Sequence, residues 1–547
     1  MRLTATADLW WKNAVVYCVD VETYQDGDGD GVGDFTGLTG RLDHLVRLGV
    51  TCLWLMPFQP TRGRDDGYDI TDYYAVDPRL GTFGEFTEFV RAARDRGLRV
   101  IADLVVNHTS DHHPWFLDAC SGRDAARRDW YVWSDSPPAD GPQGLTFPDA
   151  EKSLWHYHGA TGQYYFHRFY REQPDLNITN PEVRDEIARI MGFWMQLGLS
   201  GFRVDAVPFL LETTGQVDAV NLPDPHGFLA GLRAFAGRRN GEAMLLGEVN
   251  LPYEETRAFF GDPVSGGELT MCFDFIGMQQ MYLSMARREA APLARSLRER
   301  PPPPRDGQWA TFVRNHDELT LDKLSEPERA EVFAAFGPEP DLQLYGRGLR
   351  RRLPAMVDGD RRRIELAYSL LFTLPGTPVL FYGEEIGMAE NPDAEGRLAV
   401  RTPMQWTPEP TAGFSVADPA RYPRPLTRGR FGPEHVNVRD QAHDPGSLLA
   451  RMRSFVQGYR EAPELAWGRC EVLDSGDPAV LAHLSSTPDG AVLALHNFAD
   501  RQVTATPKGL PAGLLTDVLT GAAAGSTDGP GTALAPYGYR WLRIERA

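Results

Sequence analysis

Short, nearly continuous apolar runs recur between residues 15 and 386: 15–21 (VVYCVDV), 51–58 (TCLWLMPF), 99–108 (RVIADLVVNH), 201–207 (GFRVDAV), 243–249 (AMLLGEV), 270–275 (TMCFDF), 310–317 (ATFVRNHD) and 378–386 (PVLFYGEEI). Runs without alternation suit strands buried on both faces, as in parallel sheets. Amphipathic stretches at 83–96, 181–197 and 360–373 read as helices between them, and Pro181 after Thr179 and Asn180 suits the first helical turn after a cap. Eight strand–helix repeats predict an α/β fold, a (β/α)8 TIM barrel. About 70 residues separate the third and fourth strands, far more than a barrel loop needs. That stretch carries Trp115, Trp130, Trp133, Trp155 and Tyr165, and is expected to form an inserted B domain over the barrel mouth. Its aromatics could stack on sugar rings, but a mini-core is the better reading of any single one. Past residue 457, short β-like runs at 479–484, 491–499, 502–506 and 537–544 predict a C-terminal antiparallel β-sandwich. The expected units are 1–106 and 179–461 for the barrel, 107–178 for the insertion and 462–547 for the sandwich. The four prolines at 301–304 read as a stiff connector.

Polar residues gather at the C-terminal ends of these runs: Asp103, Asn107 and His108; Arg203 and Asp205; Glu248; Asn315, His316 and Asp317; Glu384 and Glu385. Barrels place chemistry at that end, so five such strands together point to an active site. Composition narrows the class. The chain has 547 residues, 42% hydrophobic and 24% charged, enough to build a large core. No apolar run reaches the ~18 residues of a membrane span. The formal charge of −19 disfavours nucleic-acid binding, and the arginine-dense stretch 347–363 is interrupted by Asp358 and Asp360.

Asp205, Glu248 and Asp317 end strands four, five and seven, so they can face one another across the mouth. Glycoside hydrolysis needs two carboxylates, one to attack or activate water and one to protonate the leaving oxygen. Arg203 shares a strand face with Asp205 and is expected to keep it ionised. Glu248 follows the apolar Leu245-Leu246-Gly247, which is expected to raise its pKa into acid/base range. Taken singly, each carboxylate could instead be a structural ion-pair partner.

The segments DLVVNHTS (103–110), GFRVDAVPF (201–209), GEVN (247–250) and FVRNHDEL (312–319) resemble, in order and spacing, the four signature regions of glycoside hydrolase family 13, the α-amylase family. The resemblance covers nearly the whole chain. It implies Asp205 as nucleophile, Glu248 as general acid/base and Asp317 as transition-state stabiliser, with His108 and His316 bonding the sugar and Arg203 orienting Asp205. The implied reaction is retaining double displacement through a covalent glucosyl-enzyme. RDDGYDITDYY (64–74), DAVPF (205–209), RNHDEL (314–319), RTPMQW (401–406) and the stretch 321–363 look most like the trehalose synthase branch, which interconverts maltose and trehalose by intramolecular glucosyl transfer. GEVN stands where that branch reads AEAN, and YCVDVETYQ differs from its usual first strand. By this similarity Asp65, Tyr68 and Arg401 grip the non-reducing glucose. The same machinery serves an α-glucosidase, an α-amylase-type hydrolase or a transglucosylase on short malto-oligosaccharides. A non-enzymatic relative is disfavoured by the intact carboxylate trio.

A second acidic group is Asp26-Gly-Asp28-Gly-Asp30-Gly-Val32-Gly-Asp34. Its spacing matches the first part of an EF-hand loop, although the final bidentate Glu is absent. The four carboxylates with the Val32 carbonyl are expected to wrap Ca2+, with Mg2+ as the alternative; a solvated acidic turn is the plainer reading. The resemblance also suggests a second, weaker calcium site at Asn107 and Asp175. No organic cofactor is expected. His112, His113, His156 and His158 lack metal-site spacing and read as surface or local hydrogen-bonding groups. Five cysteines without CxxC spacing, and an N-terminus without a basic-then-apolar leader, suggest the cytoplasm. Expected partners are small α-glucosides, with no nucleic acid and no membrane, and association of identical chains is left open.

Overall fold

The computed structural model describes residues 9–136, 145–211 and 225–545. Residues 1–8, on which the reading of the N-terminus partly rests, lie outside them. All eight predicted runs become strands of one closed parallel barrel: β1 (Val16–Val19), β2 (Cys52–Leu55), β3 (Arg99–Leu104), β4 (Gly201–Val204), β5 (Met244–Gly247), β6 (Met271–Phe273), β7 (Gln308–Phe312) and β8 (Thr377–Phe381). Each pairs with its sequence neighbour, and β8 closes on β1 with Val379 opposite Val16. Side chains of β1, β2, β4, β5 and β8 are buried without exception, which is why the runs show no alternation. The strands are shorter than the runs. The surplus residues form the loops of the C-terminal face, and the polar strand-end groups sit there.

Helices flank the strands as predicted. Phe83–Asp95 starts in a capping box in which Thr82 and Glu85 each bond the other's backbone N–H. It buries Phe86, Phe89, Val90 and Ala93. Asn180 caps Pro181–Gln196 by accepting from the Glu182 N–H at 2.9 Å, and Asp360 caps Arg361–Thr373 in the same way.

Between β3 and Pro181 lie a helix (Pro114–Cys120) and a three-stranded antiparallel sheet of Trp133–Ser134, Gln163–Phe166 and Trp155–His158. Most of its aromatics are core: Trp130, Tyr131, Trp155, Tyr165 and Phe166 are buried, whereas Tyr157 is 53% exposed. At the C-terminus a six-stranded antiparallel sheet faces a two-stranded one (Val503–Ala505 with Thr532–Leu534), and both contribute to one apolar cluster around Leu493, Leu542 and Val503. The other face of the large sheet packs Leu481, Val492 and Trp541 into the barrel's core. All five cysteines are unpaired, with Cys18, Cys52 and Cys272 buried inside strands. Among the described residues no helix is long and apolar enough to cross a membrane.

Candidate active site at the barrel mouth

Arg203, at the end of β4 and 1% exposed, organises the mouth. Its Nη1 donates to Asp205 Oδ1 and Asp103 Oδ1, each at 2.5 Å, and its Nη2 reaches Glu248 Oε2 at 2.8 Å. One guanidinium therefore touches all three carboxylates of strands three, four and five. Glu248 also accepts the Ala206 N–H at 3.0 Å. Asp103 is fixed by the Trp54 indole N–H (3.0 Å) and the Tyr68 hydroxyl (3.2 Å).

Electrostatics separate the carboxylates. Burial pushes Asp205 up to about 6, even though Arg203 pulls it down. The expected net depression by Arg203 is thus reversed: removing the carboxylate from water outweighs its ion pair. Burial pushes Glu248 further, to about 7. Asp317 goes the other way. Burial raises it, but the cations around it win and hold it well below the ordinary carboxylate range. Arg397 Nη1 lies 2.6 Å and Arg401 Nη2 3.0 Å from Asp317 Oδ1. His316 Nε2 is 3.2 Å from Asp317 Oδ2 and 2.6 Å from the Tyr68 hydroxyl, with the His316 and Tyr68 rings stacked. Burial lowers the pKa of His316 well below its usual value and that of His108 to about 4. The His108 imidazole is therefore neutral near pH 7.

The residues expected to grip the sugar are brought together. Asp65 accepts from Arg397 Nη2 at 2.7 Å and from the Gln173 amide at 3.0 Å. Arg401 pairs with Asp66 at 2.6 Å and bonds the His316 carbonyl at 2.8 Å. Asp66 has a left-handed backbone, φ 52°, a strain of about 1–3 kcal/mol held by Arg401 on one carboxylate oxygen and Arg424 on the other. Adjacent acids so serve different arginines. Gln173 also reaches His108 Nε2 at 3.2 Å. Sequence reading missed Arg397 and Gln173, because neither lies in a strand-end motif. A cavity of about 490 Å3 opens beside Glu248 and Asp317, walled by Phe147, Phe169, Phe209 and Leu251 and by the polar Asn250, Asp322 and Lys323. Glu384 and Glu385 do not join this site. Glu385 bonds Tyr17 and His44 in the core, and Glu384 accepts the Phe381 N–H.

The family profile described as "Alpha amylase, catalytic domain" matches residues 19–327 and 350–468. This chain belongs to the α-amylase family. Trehalose synthase/amylase TreS of Mycolicibacterium smegmatis is 41% identical over 509 residues, covering 91% of this chain and 86% of the relative. Glucan 1,6-alpha-glucosidase of Streptococcus pneumoniae is 32% identical over 545 residues, covering 91% and 93%. The solved structure of the alpha-glucosyl transfer enzyme XgtA superposes with a TM-score of 0.80 at 26% identity, covering 98% of this chain and 99% of that one. The family profile begins at the last residue of β1 and extends past β8, so it covers β2 to β8 and the residues of the mouth.

Outside the mouth, the acidic loop is built by main-chain donors. Asp26 accepts the N–H groups of Gly29 (2.6 Å) and Gly31 (2.8 Å) and the Ser415 hydroxyl. Asp34 accepts those of Gly27 and Gly37, capping the helix Phe35–Gly40. Asp28 and Asp30 accept from Asp30 and Val32. Ligand oxygens of Asp26, Asp28 and Asp34 lie within 4.8 Å of one another, the one such grouping of three or more potential metal ligands among the described residues. The Asp30 N–H lowers the Asp28 pKa, but burial and the neighbouring acids outweigh it and leave Asp28 raised. An oxygen-only donor set of clustered carboxylates fits a hard divalent cation. Asn107 and Asp175 also meet, but the Asn107 amide donates to Asp175 at 3.2 Å and a second Asp175 oxygen accepts the Arg168 N–H. Burial raises Asp175 to about 7. His113 caps the helix Pro114–Cys120, and His158 bonds Thr161.

Proposed function

We propose that this member of the α-amylase family transfers an α-glucosyl group by double displacement and interconverts maltose and trehalose. The observation that carries the reading is the sharing of Arg203 by two buried carboxylates, opposite an ionised Asp317. One guanidinium contacts both Asp205 and Glu248, which suits a retaining mechanism, where the two carboxyl groups act at close quarters. Asp205, pinned by Arg203 on its own strand, is the nucleophile, and Glu248, pushed up by burial, is the acid. In the first step Asp205 bonds the anomeric carbon as the glycosidic bond breaks, and the Glu248 proton passes to the leaving oxygen. In the second step Glu248 takes a proton from the incoming hydroxyl, whose oxygen displaces Asp205. Asp317 stabilises the positive charge that develops on the sugar. Asp65, Tyr68, His108, Arg203, His316 and Arg401 hold the glucose, with Arg397 joining Asp65 as its direct partner.

The nature of the acceptor separates isomerase from hydrolase. Glucose retained near Glu248 re-attacks through another hydroxyl; water entering through the cavity yields two glucoses. That opening, and the similarity to an alpha-glucosidase, favour hydrolysis or transglucosylation as the second reading. Incubation with maltose, and separately with trehalose, tests this. Interconversion in both directions with little glucose is expected, and glucose or trisaccharides as the main products would overturn the isomerase reading.

Two further readings accompany this one. Asp26, Asp28, Asp30, Asp34 and the Val32 carbonyl would hold Ca2+ or Mg2+, whose charge would offset their mutual repulsion. Asn107 and Asp175 are a weaker second site, since they already satisfy each other. Five unpaired cysteines suit a reducing cytoplasm.

A further inference from the structure

Arg314 lies three residues before Asp317 and is 1% exposed. Among the described residues it makes no ion pair; its hydrogen bonds go to carbonyl oxygens alone. Nε donates to Asn315 at 2.8 Å, Nη2 to Asp317 and Nη1 to Arg351. The segment it reaches is itself tied to the loop that carries Arg397 and Arg401. Arg352 donates to the carbonyls of Val400 (2.8 Å) and Tyr382 (2.7 Å), and both Arg351 and the Arg352 N–H bond Glu390. Arg397 and Arg401 then return to the Asp317 carboxylate. The result is a closed ring of contacts: loop 314–317, segment 351–352, loop 390–401, and back to Asp317.

We propose that Arg314 is a positioning residue that locks this ring, so that Asp317, Arg397 and Arg401 close on the sugar as one unit and the released glucose re-attacks before water does. The inference rests on the glucosyl-transfer reading above. A buried guanidinium without a carboxylate in contact is costly, and burial beside Arg352 pulls its pKa down to about 10. Its planar fork ties Asp317 and Arg351 through separate nitrogens, which an ammonium at the end of a flexible stem cannot reproduce.

R314K and R314M test this beside wild type, with maltose as substrate. R314K keeps the charge and one donor group, whereas R314M keeps much of the volume but leaves three carbonyls without this donor, so each is assayed only after its melting curve matches wild type, and either one that folds decides the matter. Both variants are expected to lower kcat about 10- to 100-fold, the loss typical of a small misplacement, with KM within about twofold and a larger glucose share among the products. An R314K or R314M enzyme with wild-type kcat and product ratio would overturn the proposal, as would a KM that rises in step with the loss. A wild type that releases only glucose would defeat the transfer reading, and with it the caging role, while the kcat–KM split would still decide whether Arg314 positions Asp317.

Discussion

The molecule holds two groups of carboxylates that differ in what holds their charge, although Asp26 and Asp34 of one are as buried as Asp205 of the other. At the barrel mouth, Asp205 and Glu248 are held by Arg203 from within the barrel wall, and Asp317 by Arg397 and Arg401 from a loop far along the chain. In the loop from Asp26 to Asp34, the acids are held chiefly by backbone N–H groups a few residues away. Burial and guanidiniums pull the mouth carboxylates apart in pKa, one below the ordinary range and two above it. Different pKa values let chemically similar groups take different roles. Among the described residues no arginine clamps the loop in this way, and on the reading proposed above a cation would balance its charge. Clustering alone does not identify catalysis; the counter-charge does.

The contrast breaks most sharply at Asp205. Asp205→Asn should lower kcat about 10^4-fold or more, the scale for loss of a nucleophile, while the melting temperature stays near wild type. Substantial turnover by this variant would dissolve the distinction between the two groups. Arg397→Ala is expected to cost about 10^2- to 10^3-fold in kcat/KM, comparable to removing one preorganised electrostatic partner; an effect below about threefold would make its bridge between Asp65 and Asp317 incidental.

The pH profile gives the next effect. Asp205 must be ionised and Glu248 protonated, so kcat/KM should fall about tenfold per unit below about 6 and again above about 7. Glu248→Gln should flatten the upper limb of whatever activity remains. A wild-type profile flat from pH 5 to 9 would contradict the assignment. The smallest effect belongs to the loop. Chelation, or Asp26→Ala, should lower the melting temperature by about 5 °C, with added Ca2+ restoring the chelated protein. Turnover at 25 °C should change less than about twofold. No shift in melting temperature on chelation would leave the loop a solvated turn.

Much of the fold was legible because barrel strands are buried on both faces, which writes them as unbroken apolar runs. Their ends placed Asp205 and Glu248 directly. Other features were hidden by distance along the chain. Arg397 meets Asp65 across 332 positions and Asp317 across 80, and nothing in its local sequence announces either contact. The division of the adjacent acids, Asp65 to Arg397 and Asp66 to Arg401, goes with a left-handed backbone at Asp66. Glu384 and Glu385 misled because they too follow a strand, yet the turn after β8 folds them into the core. The short strand pairs at Gln343–Leu344 and Gly348–Leu349 escaped notice, since two residues make no pattern.

The central claim is that Asp205 becomes covalently glucosylated. A slow fluorinated α-glucosyl fluoride, followed by proteolysis and mass mapping, tests it most directly. The account predicts one added fluoroglucosyl group, located at Asp205, in wild type and none in Asp205→Asn. An adduct on another carboxylate, or steady turnover with no adduct while the anomeric configuration inverts, would contradict it.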